Sequence, residues 1–153
     1  MTNYYFDASA LVKRYINEAG SQWIRGLFSE RDASFFVVHI AIVEVVGAFT
    51  RRRYENALTS GEYQELLAAF RMHCVRDYRL IAAVGNVIDS TSYILERHPL
   101  RALDAIHLSA ALTVEQQLRA NHLSPLVFLC ADDRLLAAAT AEGLTVDNPN
   151  NHP

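Results

Sequence analysis

Four carboxylates stand where the surrounding residues leave little room for charge. Asp7 follows Tyr4-Tyr5-Phe6, and Glu44 is embedded among Ile40, Ala41, Ile42, Val43, Val45, Val46 and Phe49. Asp104 lies inside Leu103-Asp104-Ala105-Ile106-His107-Leu108, and Asp132 ends the apolar run 126–131. Other acids, such as Glu18, Glu30, Asp32, Glu55, Glu62, Glu65, Glu96 and Glu115, sit in polar stretches and need only solvent. An ionised carboxylate is almost never buried unpaired, so each of the four requires a partner. Singly, each has a structural explanation: Asp7 and Asp132 as helix N-caps, Asp104 paired with Arg101 one turn back. Glu44 has no evident cation. Jointly, four acids at one place would repel by several kcal/mol even at an effective dielectric of ~20, and a hard divalent cation removes that cost. Oxygen donors without accompanying Cys or a His pair at a zinc spacing suit Mg²⁺ or Mn²⁺, and such ions serve phosphodiester hydrolysis.

The elements around these acids decide whether they can meet. Residues 4–6 read as a short aromatic strand, 34–38 and 126–130 as buried strands, 78–84 as a short strand and 144–146 as a last one. Helical spacing occupies 9–17, a short helix N-capped by Ser21, then 40–56, 62–76, 85–97, 100–120 and 132–142, with Gly143 closing the last. Strand–helix alternation of this kind predicts an α/β domain: a central, mostly parallel sheet sandwiched by helices. Asp7 and Asp132 fall at C-terminal strand ends, the edge where such sheets bind ligands. Glu44 and Asp104 lie early in helices that start from that same edge. The four acids can therefore converge on one pocket.

Length and composition agree with a single domain. The chain has 153 residues, 51% hydrophobic and 20% charged, with a formal net charge of −3. That balance excludes a disordered chain and a simple basic nucleic-acid binder. No run approaches the ~18 apolar residues of a membrane helix, and the amino terminus enters a strand at once without a visible signal peptide. Cys74 and Cys130 read as buried thiols, which suits a reducing cytoplasm. Removing the −4 of the four acids from −3 leaves the remainder at +1, so the acidity is concentrated in one pocket and RNA is not excluded.

Several residues could assist. Lys13 and Arg14 follow Asp7 and could reach phosphates, or be solvated helix charges. Arg51 lies seven residues after Glu44, on the same helix face at ~10 Å, and suits a flanking phosphate or the helix C-terminus. His107, one turn after Asp104, is better read as hydrogen-bonding beside the pocket than as a ligand. Lys13 is the single lysine among fourteen basic residues, and the arginine forks suit phosphates. The helices carrying Trp23–Phe28 and Tyr63–Phe70 offer apolar sides for a partner or for the core.

Asp7-Ala8-Ser9 after a first strand, Glu44 in a mid-chain helix, residues 103–111 around Asp104, and residues 131–139 followed by Glu142-Gly143-Leu144 and Asn148-Pro149 occur in the order of the PIN-domain ribonucleases. The chain resembles that family from Tyr4 to Pro149, most nearly the VapC-type toxins of toxin–antitoxin pairs. The resemblance implies a three-layer α/β/α sandwich and Mg²⁺- or Mn²⁺-dependent endoribonuclease activity. The expected single nuclease domain spans 1–149 with a polar tail at 150–153, and the polarity of residues 148–153 predicts that this end frays. The resemblance also implies a homodimer and a small inhibitory antitoxin. Asp7, Glu44, Asp104 and Asp132 fall on its acidic quartet and Ser9 on its hydroxyl residue. In this scheme Asp7 and Asp104 anchor the cation while Glu44 and Asp132 bind it through water or orient the nucleophile. Cys130 departs from the Thr or Ser common two residues before the fourth acid, which predicts a lost polar support for Asp132 and leaves Asp133 as a stand-in. The departure also motivates the alternative of a non-cleaving PIN-like module that binds RNA or protein. An aspartyl-nucleophile phosphatase would need a second Asp at position 9, where Ser9 stands.

Overall fold

The computed structural model describes residues 1–152. Five strands, β1 (Thr2–Phe6), β2 (Ala33–Val38), β3 (Tyr78–Ile81), β4 (Leu126–Leu129) and β5 (Thr145–Asp147), form one sheet in the order β3-β2-β1-β4-β5. Every pairing is parallel. Parallel neighbours require crossovers, and the helices supply them: α1 (Ala8–Leu11), α2 (Ser21–Leu27), α3 (Ile40–Tyr54), α4 (Ser60–Arg76), α5 (Asn86–Arg97), α6 (Ala102–Ala120) and α7 (Asp133–Ala141). The core runs through the sheet centre, where Tyr5, Phe6, Val37, Phe128 and Leu129 are fully buried against Leu11, Phe49, Leu108 and Leu135 from the helices. This is the expected α/β/α arrangement.

The sheet order reverses direction between β1 and β4: the chain proceeds to β2 and β3 on one side, then returns to the other. Crevices open at such a switch point, at the C-terminal strand ends. Register places Phe6 beside Leu129, so the residues that follow β1 and β4 emerge side by side.

Four local expectations change. The helix after β1 is α-helical only over Ala8–Leu11 and tightens to a 3-10 turn at Val12–Arg14, because the buried Lys13 side chain is drawn to Glu18 and the Ala19 carbonyl. Ser21 does not cap α2. Its hydroxyl donates to the Ile16 carbonyl and accepts from the Glu18 N–H, while Gly20, at φ +81°, occupies the cap. α4 begins two residues before the predicted start because Thr59 and Glu62 close a reciprocal capping box. The tail does not fray through residue 152. Pro149–Asn151 form a 3-10 turn, His152 stacks on Trp23 at 3.9 Å, and its ring nitrogen meets Asp147 at 2.9 Å. Gly20 is needed there, since a Cβ would collide with the Pro149 carbonyl oxygen.

Candidate active site

Asp7 leaves β1 as the N-cap of α1 and is only 5% exposed. Its carboxylate accepts from the Ala10 N–H at 2.9 Å, the Ser9 hydroxyl at 2.7 Å and the Cys130 thiol at 3.1 Å. No lysine or arginine pairs with it among the described residues. Burial raises its pKa, against the opposing pull of His107 and of those hydrogen bonds. The capping reading holds, and the same side chain is a buried carboxylate without a basic partner.

Across the switch point, Ser9 Oγ also accepts from the Ala131 N–H at 2.9 Å. Cys130 Sγ accepts from the Asp132 N–H at 3.2 Å while donating to Asp7. Burial, with the Asp7 charge beside it, pushes the thiol far up, so Cys130 keeps its proton as a donor. Cys130 is thus still a polar group of the junction, although it reaches only the backbone of Asp132 and not its carboxylate. The sulfur performs a hydroxyl's two hydrogen bonds and ties the first acid to the backbone of the fourth. Asp132 itself caps α7, its carboxylate accepting from the Arg134 N–H at 2.9 Å. Asp133 is exposed and held by the Asn148 amide at 3.0 Å, away from that junction.

Glu44, one turn into α3, does have a partner that its own segment conceals. His107 Nε2 lies 2.7 Å from its Oε1, and His107 Nδ1 lies 3.1 Å from the hydroxyl of Tyr5 in β1. His107 is buried at 1% exposure and hydrogen-bonds beside the acids, as expected. The pairing was hidden because it joins residues 63 apart on different helices. Asp104 stands on the same helix one turn before His107, half-buried, and forms no hydrogen bond or ion pair with any described residue; the pair with Arg101 is absent. A cleft of about 370 Å³ opens here, lined by Ser9, Val12, Glu44, Ala48, Arg51 and Leu103. Arg51 shares it with Glu44, as their seven-residue spacing requires.

Lys13 and Arg14 are not brought into this cleft. Lys13 is 4% exposed and anchored to Glu18 and Ala19. Arg14 bonds Asp77 and the Tyr78 hydroxyl at 2.7 Å each and lies 3.7 Å over the Phe28 ring. Tyr78 begins β3, so Arg14 works at the opposite end of the strands from the cleft.

The donors match a hard divalent cation in kind. Asp7 is a desolvated carboxylate with no basic partner, and Asp104 is unpaired. Among the described residues, however, no group of three or more His, Cys, Asp or Glu side chains is arranged to hold a metal ion, so the expected convergence of all four acids on one pocket is not seen. One Glu44 oxygen is turned to His107 and one Asp132 oxygen to α7.

No family model matches the chain. Among solved structures, it is similar to the Mycobacterium tuberculosis VapC20 toxin, described as cleaving the sarcin–ricin loop, at TM-score 0.63 and 14% identity over 98% of this chain and 99% of that one. It is likewise similar to the DNA-bound VapBC of Salmonella typhimurium, at TM-score 0.64 and 13% identity over 97% and 99%. Identities this low establish the fold alone. Sequence similarity reaches further. The chain is 30% identical to Ribonuclease VapC45 of M. tuberculosis (strain CDC 1551 / Oshkosh) over 149 residues, covering 93% of this chain and 92% of the relative. The same figures hold for Ribonuclease VapC49 of M. tuberculosis (strain ATCC 25618 / H37Rv). With 30% identity over 93% of this chain and 92% of each relative, the chain belongs to the VapC ribonuclease family.

Proposed function

We propose that this protein is an endoribonuclease that hydrolyses RNA phosphodiesters with Mg²⁺ or Mn²⁺, and the toxin of a type II toxin–antitoxin pair. The observation that carries the reading is Asp7, buried at the β1–β4 switch point with no basic partner, beside the cleft that holds Glu44 and Arg51. Asp7 and Asp104 would hold the cation, with Glu44 and Asp132 as outer ligands. A bound divalent ion would supply Lewis acidity at the scissile phosphate and offset half the charge of four carboxylates.

The chain's own groups do the rest. Ser9 and Cys130 fix the Asp7 carboxylate, so its oxygens need no reorganisation when substrate arrives. Glu44 has one oxygen free to accept a proton from an attacking water. Arg51 offers a fork to a phosphate flanking the cut, seven residues along α3 from Glu44. A small antitoxin partner and a homodimer follow from the family. A cytoplasmic location fits the thiol of Cys130, which must stay reduced to donate to Asp7, and no described helix is long and apolar enough to cross a membrane.

The test is direct. Purified protein should cleave structured RNA in Mg²⁺ or Mn²⁺ and stop on addition of chelator. A folded protein that binds RNA without chelator-sensitive cleavage would instead establish the non-cleaving module that the Cys130 departure suggested.

A further inference from the structure

The buried hydroxyl of Tyr5, the imidazole of His107 and the carboxylate of Glu44 form one hydrogen-bonded line across β1, α6 and α3. Tyr5 is fully buried and His107 is 1% exposed, so both ends of the ring are shut off from water. An ionised carboxylate has no proton to give, so His107 Nε2 must carry the proton it shares with Glu44 Oε1. That leaves Nδ1 to meet the Tyr5 hydroxyl. The ring cannot rotate without breaking both contacts, and Tyr5 is itself clamped, stacked on Phe128 at 5.3 Å and edge-on to His107 at 6.1 Å. Glu44 makes no other hydrogen bond among the described residues, yet it lines the cleft.

We propose that Tyr5 and His107 are positioning residues that pin Oε1 of Glu44 and thereby present Oε2 alone to the cleft. The unpinned alternative is a glutamate on an exposed helix face, free to rotate about three bonds and to turn either oxygen toward solvent. The pin converts it into a single-oxygen group of fixed direction. Supporting groups of this kind typically change metal affinity or activity by about 10–100-fold when removed. The assignment rests on the ribonuclease reading above, because the pinned oxygen matters only if Glu44 serves the cation or the attacking water.

The experiment compares wild type with His107→Leu, His107→Gln, Tyr5→Phe and Glu44→Gln. Mn²⁺ binding to the metal-free protein is followed by calorimetry, RNA cleavage is resolved into kcat and KM, and each melting temperature is recorded. His107→Leu should weaken Mn²⁺ binding and lower kcat, together by about 10–100-fold, with RNA KM little changed. His107→Gln, whose amide can donate to Oε1 in place of Nε2, should recover most of both. Tyr5→Phe keeps the ring shape and should give a smaller loss of the same kind, which covers the case in which His107→Leu fails to fold. A wild type that binds and cleaves, with Tyr5→Phe and His107→Leu equal to it and Glu44→Gln inactive, overturns the positioning role while sparing the ribonuclease reading. A loss that tracks melting temperature alone, unrelieved by Gln, also overturns it. A wild type that neither binds Mn²⁺ nor cleaves RNA overturns both.

Discussion

Asp104 and Cys130 mark the two ways a polar residue can sit at the cleft. Asp104 has no hydrogen-bond or ion-pair partner among the described residues, so its charge supports the metal-free fold only weakly, through its place in the first turn of α6. Asp104→Asn should melt little lower than wild type in chelator, yet lose the rise in melting temperature that Mg²⁺ or Mn²⁺ produces; a large drop in chelator would make Asp104 a structural partner. Cys130 is the opposite case, with its sulfur bonded on two sides. Cys130→Ser should retain activity, because a hydroxyl repeats both hydrogen bonds. Cys130→Ala leaves the buried Asp7 short of a donor and should cost about 1–3 kcal/mol of stability, measured by denaturant unfolding, together with activity. The identity of the acids was legible in the chain because each carboxylate interrupts an apolar run. What Cys130 does and which acid His107 meets were not, since the partners lie 123 and 63 residues away and no local pattern records such contacts.

Among the elements, the strands and longer helices were readable from spacing, and their order at the sheet edge followed from parallel topology. The short segment after β1 was misread as one long helix because Leu11, Val12, Tyr15 and Ile16 keep helical spacing while the chain turns away to seat Lys13 and Arg14. Arg14 and Tyr15 staple that segment to the α4–β3 junction. Arg14 bonds Asp77 and Tyr78, and the Tyr15 hydroxyl meets Tyr78 at 2.6 Å and His73 at 3.0 Å. Burial tends to raise the Asp77 carboxyl, but hydrogen bonds from Arg14 and Arg76 outweigh it and hold the group below its ordinary value of 3.8. A depressed carboxyl stabilises the fold above its unfolded-state pKa and loses that contribution as pH falls through the folded one. Asp77→Asn should therefore cost about 1–2 kcal/mol at neutral pH, and the difference from wild type should shrink as pH falls below the ordinary carboxylate range, as read from urea midpoints across pH. Cleavage chemistry should be unaffected, because this staple lies at the far end of the strands.

For the whole molecule, the net charge of −3 conceals an uneven distribution. If the four acids are set apart the remainder carries +1, so RNA is not drawn by a broad basic face. Affinity should rest on a few placed contacts, with Arg51 in the cleft foremost. In an uncleaving Asp104→Asn background, Arg51→Ala should weaken RNA binding and reduce the slope of log affinity against log salt by about 0.7, the value for one phosphate contact on a single strand. An unchanged slope would place Arg51 outside the RNA path. The placement of β1 between β2 and β4 has a consequence of timing. The first strand finds one neighbour early, but Asn3 pairs with Leu126 and Asp7 meets Cys130 only when the last fifth of the chain exists. A nascent chain on the ribosome thus carries its first acid without the fourth and without the thiol that seats it. The junction is assembled when the crossover through α5 and α6 delivers β4, so a translation product interrupted before it should not cleave the RNA around it.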